Sequence, residues 1–315
     1  MAAQGARLRI GLAASGGLGA ESDGLLFRFF TEMRPFLGNA GTGALGAELH
    51  ILGSTYDWLK QADLLDGLDA VRLPPAWEGG LISLTAELVG LDETDPGLDW
   101  IIFFQDPRDQ IALYPEALAL KRQCVVHGKV FLATVGGAYE WCLLEWLRRG
   151  GAGAVPAELV TRWVRPESVG TETIALIAHD RMKRALVDYV GQRRGLLERF
   201  GRRLATGTTG TLLNGQTPAR LAPGECAPLA GVRAGWVHGL LSGPQGGDAQ
   251  IAHEVVAGRC RRAVFFEDPL VAREHEADIQ LLERATRFSG LGCLCLLNPA
   301  MANRWADDMT ALLPD

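Results

Sequence analysis

Phe265-Phe266-Glu267-Asp268-Pro269 ends a short apolar run in the second half of the chain, and this stretch decides the fold because it occurs twice. Phe103-Phe104-Gln105-Asp106-Pro107 carries the same pattern 162 residues earlier. A second match aligns Leu8–Ala14 with Thr173–Ala178 at nearly the same shift. Two matches at one spacing indicate a tandem duplication of a domain-sized unit rather than a short solenoid repeat.

The segment between the two copies is rich in glycine and proline, which mark a boundary. We therefore expect a first domain at 1–149, a linker at 150–170 and a second domain at 171–315. Within the linker, Leu159–Val164 is apolar enough to pack on one of the domains.

The second copy alternates short apolar runs with amphipathic stretches. The pattern predicts strands at Ile174–Ala178, Arg203–Ala205, Trp236–Leu241, Ala263–Phe266 and Leu291–Leu297. Helical spacing predicts helices at Arg181–Phe200, Ile251–Val256 and Ile279–Phe288. Such alternation is typical of βαβ units, so we expect an α/β fold with two tandem domains, each a mostly parallel sheet flanked by helices. Ligands of such folds lie at the carboxyl ends of the strands.

The composition is that of a globular protein, with 48% hydrophobic and 22% charged residues among 315. A formal net charge of −6 argues against nucleic acid as a partner, because phosphates favour clustered basic faces. No apolar run approaches the roughly 20 residues that span a bilayer, so we expect no membrane partner. The six scattered cysteines have neither a disulfide framework nor zinc-ligand spacing, which predicts reduced thiols in a cytoplasmic protein.

Polar residues and glycines follow four predicted strands of the second copy. They are His179, Asp180 and Lys183 after the first strand, Thr206, Gly207, Thr208, Thr209 and Gly210 after the second, Ser242, Gly243 and Asp248 after the third, and Asp268, His275 and Asp278 after the fourth. Because the carboxyl ends of parallel strands meet at one edge of a sheet, these groups are candidates for a single site.

Two glycine-rich turns give this candidate site its chemistry. The turn Leu241–Asp248 brings backbone N–H groups close to an anion and ends in a carboxylate. The turn Thr206–Gly210 adds hydroxyls at a predicted helix start, where the helix dipole favours an anion. Together they suggest a base beside a small phosphorylated molecule. The alternative is a structural loop with an N-capping aspartate and ordinary histidines. No histidine pair has metal-ligand spacing, and neither a GxGxxG fingerprint nor a P-loop occurs, which disfavours a metal, NAD and ATP.

The second copy resembles the methylglyoxal synthase family in four motifs that occur in the family's order. They are Ala178-His179-Asp180-x-x-Lys183, Ala205-Thr206-Gly207-Thr208-Thr209-Gly210, Ser242-Gly243-Pro244-x-Gly246-Gly247-Asp248, and Asp268-Pro269 followed by His275 and Asp278. The motifs fall between about residue 171 and the end of the sequence, nearly half the chain. The resemblance implies a doubly wound sheet and a carbon–oxygen lyase that converts dihydroxyacetone phosphate to methylglyoxal and inorganic phosphate.

The resemblance also implies a role for each candidate residue. Asp248 would be the catalytic base, His275 and His179 would contact the substrate oxygens, and Asp180, Asp268 and Asp278 would support the site. The phosphate would be held by Lys183, Thr206, Gly207, Thr208, Thr209, Ser242 and Gly243.

The residue types fit this chemistry independently of the resemblance. A carboxylate can remove a proton from the carbon beside the ketone, giving an enediol(ate) that a neutral histidine stabilises by hydrogen bonding. Phosphate elimination then requires the C–O bond to stand perpendicular to the enediol plane. Rigid phosphate donors would therefore select the reaction by orientation, and neither a metal nor an organic cofactor is needed.

The first copy differs at the positions that carry this chemistry. Ser15-Gly16 stands where the second copy has His179-Asp180, and Leu52–Tyr56 replaces the Thr/Gly turn. The remaining replacements are Leu81 for Asp248, Leu113 for His275 and Glu116 for Asp278. Because a leucine cannot accept a proton, we expect the first copy to be degenerate and non-catalytic, kept for packing or assembly.

Two further expectations follow from the resemblance. A non-catalytic, ligand-sensing module is the alternative function, because the same fold serves as the allosteric domain of carbamoyl phosphate synthase. Asp248 and the two histidines favour the enzyme, since a sensor needs phosphate contacts but no base. The family assembles as a homohexamer of single domains, which implies a homo-oligomer here.

Overall fold

The computed structural model describes residues 7–19, 24–38, 42–219, 226–270, 276–288 and 292–313. The chain divides into two compact units, Met1–Val164 and Arg165–Asp315. Each unit is built on a five-stranded sheet of its own.

The first unit has a fully parallel sheet in the order β3-β2-β1-β4-β5. Its strands are β1 (Arg9–Ala14), β2 (Glu48–Ile51), β3 (Asp69–Arg72), β4 (Trp100–Phe104) and β5 (Val130–Leu132). Its helices are α1 (Gly16–Gly19), α2 (Leu25–Leu37), α3 (Gly53–Gln61), α4 (Gly80–Val89), α5 (Pro115–Val126), α6 (Val135–Gly150) and α7 (Ala157–Leu159).

The second unit repeats this topology, with a parallel sheet in the order β8-β7-β6-β9-β10. Its strands are β6 (Thr173–Ala178), β7 (Arg202–Ala205), β8 (His238–Gly239), β9 (Cys260–Phe266) and β10 (Leu294–Leu296). Its helices are α8 (Lys183–Gln192), α9 (Arg194–Glu198), α10 (Gly207–Leu213), α11 (Gly247–Val256), α12 (Glu276–Phe288) and α13 (Pro299–Leu312). In each sheet the chain starts at the central strand (β1 or β6), adds two strands on one side and then two on the other. The predicted pair of doubly wound α/β folds is therefore confirmed.

The central strands owe their position to largely apolar sequence, although β9 also carries Arg262, which is buried and pairs with Glu172. Every residue of β6 is buried, and only one residue of β9 is partly exposed. Such runs are typical of parallel strands that are covered on both faces. On one face, Ile177 and Phe265 pack in a buried cluster with Ile251 and Val255 of α11. The apolar packing of α11 places the start of that helix beside the carboxyl edge of the sheet.

Several predicted elements of the second unit differ in extent from the structure, among them the expected strand Trp236–Leu241 and the expected helix Arg181–Phe200. Only His238–Gly239 of the expected strand Trp236–Leu241 pairs with β7, and both residues are exposed at the edge of the sheet. The expected helix Arg181–Phe200 is interrupted at Arg193, which has φ −105° and ψ 16°. Gly191 and Gly195 flank the break, and glycine is among the weakest helix formers.

The segment expected to link the copies carries helical turns of its own. Val160–Val164 forms a turn of π-helix after α7. Trp163 is buried and stacks on Tyr139 of α6, with ring centroids 4.0 Å apart and an interplanar angle of 10°. The first part of this segment therefore packs on the first unit through an aromatic pair, which the apolar residues of Leu159–Val164 had indicated.

Candidate active site

The candidate residues of the second unit follow the ends of four strands at one edge of the sheet. The register of β6 with β9 pairs Ala178 with Phe266, so His179 and Glu267 leave the sheet at the same level. The chain leaves β6 toward β7 on one side and reaches β9 on the other. This is the topological switch point, where open α/β sheets bind their ligands.

A hydrogen bond from backbone to ring joins the two central strand ends. The backbone N–H of Asp268 donates to Nδ1 of His179 over 2.8 Å. The backbone N–H of His179 donates to the carbonyl of Phe266 over 3.1 Å. Because Nδ1 accepts a hydrogen bond, the neutral ring carries its proton on Nε2. The His179 ring also packs against Phe265 in a T-shaped contact, with 5.0 Å between the ring centroids.

The Thr/Gly turn lies directly against the turn that follows β8. The N–H of Gly207 donates to the carbonyl of Leu241 over 2.9 Å. A Cβ atom on Gly207 would stand 2.9 Å from both the Cα and the backbone nitrogen of Ser242, so only glycine fits this approach. The structure thus brings the second and third candidate segments into backbone contact.

The threonines of this turn differ in exposure. Thr206 is 7% exposed, Thr208 is half-buried, and Thr209 is 1% exposed. Among the described residues, the buried Oγ1 atom of Thr209 has no hydrogen-bond partner. A buried hydroxyl without a partner costs free energy, and a ligand oxygen could satisfy this one.

The carboxylate of Asp248 lies over the backbone of Gly243. A Cβ atom on Gly243 would stand 2.7 Å from Oδ2 of Asp248, so the absence of a side chain there makes room for the carboxylate. Asp248 itself is 6% exposed and occupies the first turn of α11. The third candidate segment therefore folds back on itself and holds one buried carboxylate at the carboxyl edge of the sheet.

Two glycines make this turn. Gly246 has φ +101°, in the left-handed region that favours glycine. A Cβ atom on Gly247 would stand 2.0 Å from the carbonyl oxygen of Leu241. The same turn contains a contact that the sequence analysis missed, since the hydroxyl of Ser242 donates to Oε1 of Gln245 over 2.9 Å. The three-residue spacing in a tight turn is the signal that could have revealed it.

Lys183 and Asp180 form an ion pair at the start of α8. The Lys183 side chain is 7% exposed, whereas that of Asp180 is 83% exposed. The ammonium group is therefore buried beside the candidate site, while the carboxylate that accompanies it faces solvent. A buried ammonium requires an anionic partner, and a phosphate would be a second one.

The carboxylate of Asp268 contacts its own loop and lies near Arg181. Oδ1 of Asp268 accepts the N–H of Leu270 over 3.0 Å, and Nε of Arg181 lies 3.9 Å from Oδ2. Asp278 falls within α12, but its side chain lies outside the described residues, and so does the whole of His275.

The strand-end turns of the first unit have a similar backbone to those of the second unit but different side chains. The N–H of Asp106 donates to Oγ of Ser15 over 3.1 Å, as that of Asp268 does to His179. Gly79 has φ +85°, and a Cβ atom on the following Gly80 would stand 2.0 Å from the carbonyl of Pro74. These glycines match Gly246 and Gly247, so Leu81 takes the place of Asp248 and is 2% exposed.

In the first unit, a backbone N–H that follows a strand end is hydrogen-bonded to a carboxylate of the same chain. Oδ2 of Asp109 accepts the backbone N–H of Gly16 over 2.9 Å. Gly16 is the residue that corresponds to Asp180. In the first unit, this donor at the edge of the sheet is therefore bound internally.

No group of three or more His, Cys, Asp or Glu side chains in the described part of the chain could hold a metal ion. None of the helices described is long and apolar enough to cross a membrane.

Part of the chain is similar in sequence to proteins named methylglyoxal synthase. No family model matches the chain. A methylglyoxal synthase of Burkholderia multivorans is 37% identical over 142 residues, which are 45% of this chain and 95% of that protein. Further methylglyoxal synthases are 35% to 41% identical over 111 to 120 residues.

Two other comparisons cover a smaller share of the matched protein. An uncharacterized protein of Synechocystis is 41% identical over 111 residues, and the match covers 35% of this chain and 22% of that protein. The crystal structure of methylglyoxal synthase from Elizabethkingia anophelis is 34% identical with a TM-score of 0.28, over 36% of this chain and 65% of that one.

Proposed function

This chain belongs to the methylglyoxal synthase family, and on that basis we propose that its second unit converts dihydroxyacetone phosphate to methylglyoxal and inorganic phosphate. One observation carries the proposal: the buried carboxylate of Asp248 lies over Gly243, at the edge of the sheet that also holds His179 and Lys183. A base, a hydrogen-bond donor and a cation are the groups that the reaction needs.

Asp248 is the base of the proposed reaction. Its carboxylate takes a proton from the carbon beside the ketone and leaves an enediol(ate). Its burial keeps bulk water away from that carboxylate. Gly243 leaves room for the carboxylate, and packing against the sheet holds α11, so the base is fixed by rigid elements.

The phosphate is held by the cation and hydroxyls of the neighbouring turns. Lys183 brings a buried ammonium group, and the unpartnered hydroxyl of Thr209 supports an oxygen-bearing ligand at this place. Thr206, Thr208 and Ser242 complete the set, with the backbone of Gly207 and Gly243 close enough for the ligand to approach. The exposed Asp180 holds Lys183 at its outer side.

Orientation then selects elimination of phosphate over isomerisation. Donors fixed by backbone contacts hold the C–O bond perpendicular to the enediol plane, so the phosphate leaves with the bonding electron pair. The Nε2–H group of His179 donates to a substrate oxygen, because its Nδ1 is already bound by the Asp268 N–H. We assign His275 to the developing enediolate oxygen, with Asp268 and Asp278 as supporting groups, and no cofactor takes part.

The first unit serves packing or assembly rather than catalysis in this proposal. Leu81 has no basic group, and Asp109 already accepts the Gly16 N–H. We therefore assign 1–149 to the degenerate domain and 171–315 to the synthase domain. The free cysteines support a reducing compartment such as the cytoplasm.

Purified full-length protein incubated with dihydroxyacetone phosphate tests the proposal. We expect methylglyoxal and phosphate to be released in equal amounts without added metal or cofactor. Phosphate binding without either product would contradict the enzyme and favour the ligand-sensing alternative.

A further inference from the structure

The second unit contains a cavity that is separate from the candidate active site. It has a volume of about 570 Å³ and lies between the outer face of α8 and the segment 226–230. None of the residues at the carboxyl ends of the strands lines it. Small-molecule sites typically occupy roughly 300–1,000 Å³, so the cavity has the size of a ligand site.

The cavity is built by a segment that the first unit does not have. Residues 214–237 connect α10 to β8, whereas the shorter stretch 62–68 connects α3 to β3 in the first unit. Two described residues of this segment, Leu229 and Gly231, are anchored by hydrogen bonds. The N–H of Leu229 donates to the carbonyl of Leu212 over 2.9 Å, and Nη1 of Arg194 donates to the carbonyl of Gly231 over 2.8 Å. The wall of the cavity is therefore preformed.

The cavity has a polar side formed by α8 and an apolar floor formed by Val187 of α8 together with the segment 226–230. The helix contributes Arg184, Asp188 and Gln192, which are spaced four residues apart and so lie along one face of α8. The floor is apolar, with Val187, Cys226 and Leu229 each less than a tenth exposed. A ligand that fits both walls has charged or polar groups on one side and an aliphatic body on the other.

The two charges on the helix are available to a ligand. Within the described part of the chain, neither Arg184 nor Asp188 forms an ion pair or a side-chain hydrogen bond. The cavity wall thus offers one guanidinium and one carboxylate, a helical turn apart.

We propose that this cavity binds a small zwitterion, an α-amino acid with an aliphatic side chain. Its carboxylate pairs with Arg184, its ammonium group pairs with Asp188, and its side chain rests on Val187 and Leu229. A guanidinium binds a carboxylate through two parallel hydrogen bonds, which fixes the orientation of the ligand. The amide of Gln192 is one turn further along and lies at the rim.

Calorimetric titration of the full chain with L-leucine tests this site without depending on catalysis. We expect saturable binding that is at least about tenfold weaker for 4-methylpentanoate, 3-methylbutylamine and glycine, which lack the ammonium, the carboxylate and the aliphatic group respectively. Arg184→Gln and Asp188→Asn should each weaken leucine binding by about tenfold or more. Arg233→Gln, which changes an exposed arginine of the same segment outside the cavity, should leave it unchanged.

Two results would overturn the site. One is the absence of saturable leucine binding up to about 10 mM, because a preformed cavity with two matched charges should bind at millimolar affinity or better. The other is leucine binding that both helix variants leave intact. Circular dichroism melting curves of the variants ensure that a loss of binding does not reflect a loss of fold.

Discussion

At the scale of single residues, equivalent backbone N–H groups of the two units donate to different side chains. The N–H of Asp268 donates to the ring of His179, and the N–H of Asp106 donates to the hydroxyl of Ser15. The serine therefore accepts the same backbone hydrogen bond without supplying the second ring nitrogen, which we assign to a substrate oxygen. The first unit is in this respect a natural control for the second.

His179→Ser should lower the activity without lowering the stability of the fold. The serine hydroxyl can accept the Asp268 N–H, as Ser15 accepts that of Asp106, so we expect a melting temperature close to that of the parent protein. Activity should fall by about 10²-fold because the Nε2–H donor is gone. Thermal melting and product release measure the two effects. A variant that keeps most of its activity would remove His179 from the proposed site.

Asp248→Asn should nearly stop proton abstraction while preserving the shape of the side chain. Loss of an essential proton-transfer group typically costs about 10²–10⁴ in rate, and we expect a loss in that range. Ser54→Ala is the matched control, because it changes the residue of the first unit that corresponds to Thr208. It should leave the rate per chain unchanged. If the asparagine variant retained a substantial fraction of the parent rate, another residue would have to be the base.

At the scale of elements, the turn before α11 depends on two consecutive glycines. Gly247→Ala would drive a Cβ atom to within 2.0 Å of the Leu241 carbonyl, so the turn would have to open. We expect a loss of roughly 1–3 kcal/mol in the free energy of unfolding, together with displacement of Asp248.

Gly195→Ala in α9 is the control for this change. No atom lies within 4 Å of a Cβ built there, and its φ is not in the left-handed region. Alanine is the better helix former, so stability should rise by about 0.5–1 kcal/mol. Urea unfolding of both variants measures the difference. Equal effects of the two substitutions would show that crowding at Gly247 is not what the turn depends on.

At the scale of the whole molecule, thiols in both units report on core integrity. Burial raises the pKa of Cys260 to about 12, and burial likewise raises the pKa of Cys124 and Cys142. The thiolate is the reactive form, so these three should resist alkylation at pH 8 until the chain unfolds. Cys295 is less buried and should react first. Mass spectrometry of labelled peptides checks the order, and prompt labelling of Cys260 would contradict the buried core.

We also predict a closed homo-oligomer. The resemblance to the family implies an assembly of six single domains, and three chains with two units each would supply the same number. Light scattering over a wide concentration range should give a mass well above that of one chain. A monomer at all concentrations would contradict this prediction.

The sequence by itself determined the succession of strands and helices, the glycine turns and the duplication. Apolar runs such as Ile174–Ala178 and glycine pairs such as Gly246-Gly247 act within a few residues, where burial and backbone conformation leave a local pattern. The repeated Asp-Pro turn and the replacement of Asp248 by Leu81 could be predicted from the sequence for the same reason. The break of the predicted helix at Arg193 was missed, because the glycines beside it only weaken a helix that packing could have kept.

The tertiary structure alone decided which of these turns touch. The contacts of Gly207 with Ser242 and of Asp109 with Gly16 join residues far apart in the chain. So does the cavity between α8 and 226–230. The approach of Gly243 to Asp248 is local in sequence, yet it depends on how the packing of α11 orients its first turn. Such contacts leave no periodic pattern, since they arise from the order of strands in the sheet and from side chains that must fit one shared space.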